Sequence, residues 1–171
     1  MFGGPRPICR IEPENNIHTI LEAFSKAQLM ILKFVGNWNS SEYARNLKNK
    51  YQSDSYIEII DAVYDEKIIH NLRKDCKVYI HGHSAGGTNP SLVEIMHYDK
   101  AVFAFDCKYN KATMQDKSLF FNDCQSLINL LRDLPQINIQ EIGRQLGNIA
   151  RCNYTWKGVC DKYYYLFNDC S

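Results

Sequence analysis

The chain has 171 residues, 45% of them apolar and 23% charged, with a formal net charge of +1. A chain of this length holds one domain, buries about two-thirds of its unfolded surface and folds without a metal or a disulfide scaffold. The near-neutral balance excludes a broad basic field for nucleic acid or anionic lipid, so any anion it binds is held by a local site.

The first ten residues lack the apolar core of a signal peptide. No apolar run approaches the roughly 20 residues of a membrane span. Pro7 to Ile11 reads as a strand, and Asn16 to Lys26 as a helix with Ile17, Ile20, Leu21 and Phe24 at helical spacing. Leu29 to Val35 reads as a strand and Ser41 to Tyr51 as a polar helix. Tyr56 to Ile60 is a short strand. Asp65 to Lys74 reads as a helix with Ile68, Ile69 and Leu72 inward. Lys77 to Ile80 is a strand, Pro90 to His97 a helix, Ala101 to Phe105 a strand, and Ser118 to Phe121 a further strand. Helices follow at Cys124 to Leu131, Ile139 to Ala150 and Tyr154 to Phe167.

Seven cysteines are present, and no two of them are separated by two residues. Neither a zinc site nor a thioredoxin-like pair is signalled; the reading is reduced thiols, several in the core, with Cys160 and Cys170 exposed near the end.

Strand–helix alternation implies right-handed crossovers and a parallel sheet covered on both faces. The expected fold class is α/β: a doubly wound, Rossmann-like parallel sheet of about six strands, with helices on both faces and extra helices at the C-terminus. Residues 1–171 are expected to form a single domain. In the usual strand order, 3-2-1-4-5-6, a ligand sits outside the carboxyl ends of strands 1 and 4. Chemistry is then expected just after Ile11 and just after Ile80.

The second of these places holds HGHSAGGTNPSLVE, His81 to Glu94. Asn89 is a good N-cap, and Pro90 suits the first helical position. Gly86 and Gly87 leave the backbone bare before that helix, which suits an anion such as a diphosphate. The same residues also serve merely to turn a chain. Glu94 is read as a solvated carboxylate or as an acceptor for sugar hydroxyls. His83 is read as a structural group or as a phosphate or hydroxyl partner. His81 and His83 have no third ligand at useful spacing, so no metal is expected. The first place holds CRIEPENN, Cys9 to Asn16, where Arg10 falls on the crevice. It is there to bind phosphate or to pair with Glu12 or Glu14.

RIEPENN before an amphipathic helix, then GGTNPSLVEIM, then AFDCKYN, resemble in order and spacing the C-terminal half of a GT-B glycosyltransferase of family 4, most of all its rhamnosyltransferase-like branch. The resemblance covers nearly the whole chain. It implies a domain that binds a nucleotide-sugar donor, with a separate N-terminal domain, absent here, for the acceptor. It makes Arg10 the neutraliser of the donor phosphates and Glu94 the acceptor of ribose hydroxyl bonds, the two being the catalytic pair. The amides of Asn89, Pro90, Ser91 and Leu92, with Thr88 beside them, would flank the diphosphate. Ala62, Val63 and Tyr64 would lie against the base. Two positions depart from the family pattern. A glutamate that would contact the donor sugar is Gly86, so the sugar would meet Gly86, Gly87 or His83. A lysine on the leaving group is Asn15.

The implied function is retaining transfer of a sugar, rhamnose in that branch, from a dTDP- or UDP-sugar to a carbohydrate or lipid-linked glycan acceptor in cell-surface polysaccharide synthesis. The setting is cytoplasmic, peripheral at the inner membrane face for the full-length protein. No further cofactor is implied. The chain reads as a fragment with little or no transferase activity alone. The rival readings are a nucleotide-sugar epimerase or phosphorylase on the same scaffold, and a non-catalytic nucleotide-binding or interaction module. The aromatic tail YTWKGVCDKYYYLF suits a partner surface or a terminal helix packed on the domain. A NAD-dependent dehydrogenase is disfavoured because EPENN, not a glycine fingerprint, follows the first strand.

Overall fold

Apolar runs alternating with amphipathic stretches give this chain parallel strands joined by crossover helices. The computed structural model describes Pro5 and residues 7–168. Helix α1 (Ile17–Ala27) turns Ile17, Ile20, Leu21, Ala23 and Phe24 inward. It leads to strand β1 (Leu32–Gly36) and to α2 (Glu42–Tyr51), whose first turn is capped by the Ser41 hydroxyl accepting from the Ala44 amide. Strand β2 (Ile57–Asp61) is followed by α3 (Glu66–Lys74), capped by Asp65. Then come β3 (Val78–His81), α4 (Pro90–Met96), β4 (Ala101–Phe105), α5 (Lys108–Met114) and β5 (Leu119–Phe121). Helices α6 (Cys124–Asp133), α7 (Ile139–Asn153) and α8 (Trp156–Asn168) complete the order.

β1 and β2 pair in parallel, with Leu32 opposite Ile57 and Gly36 opposite Asp61. β3, β4 and β5 form a second parallel sheet, with Val78 opposite Ala101 and Phe103 opposite Leu119. The expected first strand runs between them as an extended segment. On one edge Lys33 N donates to Pro5 O at 3.0 Å, Val35 N to Pro7 O at 3.1 Å, and Cys9 N to Val35 O at 3.4 Å. Both prolines accept from β1 but have no N–H to return, so this ladder stays incomplete. On the other edge the Tyr79 hydroxyl accepts from the Ile8 amide at 3.3 Å and donates to the Ile8 carbonyl at 3.0 Å. A phenol from β3 thus stands where a backbone ladder would. With that segment counted as strand 1, the strand order is the doubly wound 3-2-1-4-5-6.

Two cores flank the sheet. One gathers α1, β1 and α6 around Phe24, Phe34, Trp38 and Phe103; the other joins α4 and α7 over Tyr79, Leu92, Met96 and Leu146. Helix α7 comes close enough to the β4 approach that a Cβ on Gly143 would lie 2.1 Å from Asp99 O, and one on Gly147 would lie 1.7 Å from Asp99 Oδ1.

Several local readings change. β1 begins at Leu32 rather than Leu29, because Gln28 closes α1 in a left-handed conformation and Leu29 and Ile31 are left exposed. Ile68 does not point inward: it is exposed, and α3 has no fully buried residue. Helix α5 was not expected, since its inward face carries Asn110 and Thr113 beside Met114. On α8, Trp156, Tyr163, Tyr164, Tyr165 and Phe167 are exposed. Just before it, Tyr154 is anchored by its hydroxyl donating to Thr113 O at 3.3 Å. Cys160 is exposed, and Cys170 lies outside the described residues. Among the described residues no helix is long and apolar enough to cross a membrane.

Replacing Tyr79 by Phe leaves the Ile8 amide and carbonyl without their shared partner. Urea denaturation is expected to show a loss of about 2 kcal/mol at unchanged m-value. A loss below about 0.5 kcal/mol would mean that the phenol does not hold the segment.

Candidate functional site

The loops after the first segment and after β3 meet at the carboxyl ends of the strands. Pro13–Asn15 forms a single 3-10 turn, and Asn16 follows in the left-handed region at φ 48°. Asn16 Nδ2 donates to Gly82 O at 2.9 Å, and Ser84 N to Glu14 O at 2.9 Å. Asn15, almost fully buried, donates from Nδ2 to Arg10 O at 2.7 Å. Its Oδ1 then accepts from His83 Nδ1 at 2.7 Å. The approach is so close that a Cβ on Gly82 would lie 2.0 Å from Asn15 O. From the far side, Asn110 Nδ2 donates to His83 O at 2.8 Å and to Phe105 O at 2.9 Å. Asn15 and Asn110 therefore clamp the His83 turn from opposite directions.

These contacts enclose a cavity of about 80 Å³, on whose wall Arg10, Asn15, His81, His83, Asn89 and Ser91 converge. The residues lining it include a guanidinium and two imidazoles but no carboxylate. Arg10 is 79% exposed, and its guanidinium meets Glu12 Oε1 at 3.1 Å. Glu12 is the more covered partner at 33% exposed, its Oε2 buried and without a hydrogen-bond partner, so opening the pair leaves a partly buried carboxylate behind. Burial pushes the Cys9 thiol up to about 12, with the Glu12 carboxylate acting in the same direction, so it stays protonated. Burial pushes His81 down to about 3, helped by His83, and its ring stays neutral. His81 Nε2 is fully covered and has no hydrogen-bond partner.

The other expected residues spread outward from this point. Gly86, at φ 77°, and Gly87 are exposed, and a Cβ on either would meet nothing within 4 Å. The start of α4 is more engaged than the sequence suggests. Asn89 Oδ1 accepts from Ser91 N at 2.9 Å, and Asn89 O accepts from Leu92 N at 3.1 Å, while Pro90 has no N–H. The Ser91 and Leu92 amides thus bond Asn89 instead of pointing into the cavity, and the Leu92 side chain is fully buried in the core. Thr88, Pro90 and Glu94 line an apolar groove of about 660 Å³ against Trp156 and Val159. Glu94 also lines a groove of about 760 Å³ between α3 and α4, where it is paired with Arg73. Ala62 and Val63 are half-buried and Tyr64 is exposed, in the turn after β2. None of these three lines the small cavity. Sequence reasoning gave no role to Tyr79, Asn110 or Arg73: Tyr79 and Arg73 fall in no turn signal or motif, and Asn110 closes AFDCKYN, which was read only for its resemblance. Among the described residues no cluster of His, Cys, Asp and Glu could hold a metal ion.

A family model described as Glycosyl transferases group 1 matches residues 8–150. No curated protein matches the sequence. Among solved structures, the fold is similar to that of the pneumococcal O-GlcNAc transferase GtfA in complex with UDP and GlcNAc, with a TM-score of 0.76 at 16% identity. Anabaena HepE in complex with UDP is similar with a TM-score of 0.82 at 14% identity. These alignments take in 97% of this chain but only 35% and 48% of those proteins, so the chain spans half their length or less. The C-terminal domain of the group 1 glycosyl transferase LpcC from Francisella tularensis aligns over 90% of this chain and 87% of its own, with a TM-score of 0.76 at 14% identity.

The neutral His81 has a consequence for stability. Its folded value, about 3, lies below the ordinary 6.5, so the unfolded chain binds the extra proton. The contribution is therefore complete above pH 6.5 and is lost as pH falls toward 3. NMR titration is expected to show the His81 ring resonances flat through neutral pH and down to about pH 5. His81→Asn is expected to lose less stability than the parent chain on acidification from neutrality, as read by urea midpoints. Titration of the His81 ring near its ordinary value would contradict this.

Proposed function

We propose, for a chain that belongs to the group 1 glycosyl transferases, that it is the nucleotide-sugar-binding domain of a larger GT-B enzyme and that the donor's diphosphate sits at the crevice between the N-terminal segment and β3. The convergence of Arg10, Asn15, His83, Asn89 and Ser91 on one cavity without carboxylates carries the reading. An anion entering there would meet the Arg10 guanidinium and the Ser91 hydroxyl beside a wall held in place by the loop clamp, at the end of the sheet where doubly wound folds bind their ligands.

In transfer, the bond from the anomeric carbon to the diphosphate oxygen breaks while the acceptor's hydroxyl oxygen bonds that carbon and gives up its proton, and charge grows on the leaving oxygens. Arg10, released from Glu12, neutralises that charge as a fork of N–H groups. Asn15 works at one remove. Bonded to both Arg10 O and His83, it holds the arginine's backbone and the imidazole at one spacing. It brings no charge where the family pattern has a lysine, so Arg10 bears more of the neutralisation. The open backbone at Gly86 and Gly87, with Thr88, lies against the sugar, while Pro90 and Leu92 start and seat the helix behind it. Glu94 accepts from the ribose hydroxyls, and Ala62, Val63 and Tyr64 lie along the base.

The donor in this reading is a UDP- or dTDP-sugar; the UDP in the GtfA and HepE structures favours a uridine nucleotide. The finer assignment rests on GGTNPSLVEIM and its likeness to the rhamnosyltransferase-like branch of family 4. It comprises rhamnose as the sugar, retention of configuration, and a cell-surface glycan acceptor held by a second domain at the cytoplasmic face of a membrane.

Arg10→Ala is expected to weaken UDP binding by at least about tenfold, the cost of one charge-assisted hydrogen bond. Calorimetric titration of UDP into both proteins checks this. Equal affinities would remove Arg10 from the site and the diphosphate from this crevice.

A further inference from the structure

Of the ion pair between α3 and α4, Glu94 enters the reading above and Arg73 has no part in it. Arg73 reaches from the last turn of α3 to Glu94 on α4, its NH2 group bonding Glu94 Oε2. The arginine side chain is only 18% exposed and the glutamate 51%. A surface ion pair with both ends in water contributes little and wanders. Here the guanidinium is largely covered by the two helices and cannot leave freely, so the carboxylate is the end that is held.

α3 has no fully buried residue, so few apolar contacts seat it. Its hydrogen-bonded ties to α4 and the turn after it are Arg73 to Glu94, and His70 Nδ1 with the Tyr98 hydroxyl at 3.0 Å. The turn holding Ala62, Val63 and Tyr64 leads directly into α3. The contact that fixes the Glu94 carboxylate therefore also sets that turn relative to it.

We propose that Arg73 is a positioning residue for the nucleoside: it engages one oxygen of Glu94 and presents the other, Oε1, to the ribose hydroxyls. The proposal rests on Glu94 facing the ribose in the reading above. Ordering the carboxylate before binding removes a rotamer cost that the ligand would otherwise bear. Arg73 touches no part of the donor itself and acts only through Glu94.

The test compares UDP with 2′,3′-dideoxy-UDP and inorganic diphosphate, by calorimetry on the full chain. The unsubstituted chain is expected to favour UDP over the dideoxy compound. Arg73→Ala is expected to cut that preference by at least about threefold, while affinity for the dideoxy compound and for diphosphate changes less than about twofold. Arg73→Lys is expected to restore most of the preference, and adding Arg73→Ala to Glu94→Gln to leave the preference of Glu94→Gln unchanged. If Arg73→Ala does not fold, Arg73→Gln, which keeps the stem, is expected to give the same loss. An unchanged preference overturns the proposal. So does an equal weakening for all three ligands, which marks a purely structural role. A parent chain that binds UDP through Arg10 but ignores the ribose hydroxyls also overturns it and leaves the diphosphate assignment standing.

Discussion

A single phenol carries the sheet across the break between its two halves. The N-terminal segment carries two prolines and cannot make a full ladder even with β1. Its other edge would present an unpaired amide and carbonyl to the interior, a costly state for backbone groups. Tyr79 satisfies both with one hydroxyl. Two short sheets can then lie side by side without a ladder between them. The gap that remains, where strand order reverses, is where the small cavity opens.

That arrangement makes the crevice a product of backbone geometry more than of side-chain choice. Gly82 permits the Asn15 turn to lie against β3, and the asparagines then lock the loops. Arg10 is exposed and, among the described residues, pairs with Glu12, whereas Asn15 and His83 are committed to each other. An exposed cation over a fixed polar wall suits an anionic ligand. The neighbouring solved folds share this architecture at identities of 14–16%, so the framework is kept while most side chains differ.

The α/β class, the strand order and the meeting of two loops were legible because they depend on apolar runs and on glycine, asparagine and proline at turns. Asn89 and Pro90 take the cap and first-turn positions that their chemistry suggests. Arg10 and His83 come together because the switch point of the sheet is a topological fact. What could not be read depended on side chains acting across the fold. The hydroxyl of Tyr79 looks like one more core aromatic in VYIH. Asn110 sits in a stretch too polar to announce a buried helix. The partner of Glu94 lies 21 residues away on another helix, with nothing local to mark it. The amides at the start of α4 looked free because sequence shows the cap but not which donors it consumes. Ile68 looked inward because helical periodicity assumes a core on one side, and α3 has scarcely any.

Helix α7 is seated differently from the rest of the molecule. Gly143 and Gly147 form a notch into which the Asp99 turn fits, the first meeting main-chain atoms and the second a carboxylate that Arg151 holds at 2.9 Å. A helix whose glycines rest on a main-chain oxygen and on a carboxylate held in place can move closer only by displacing the chain at Asp99. The spacing between α7 and the approach to β4 thus has a hard stop, and any residue larger than glycine at either position would wedge the two apart.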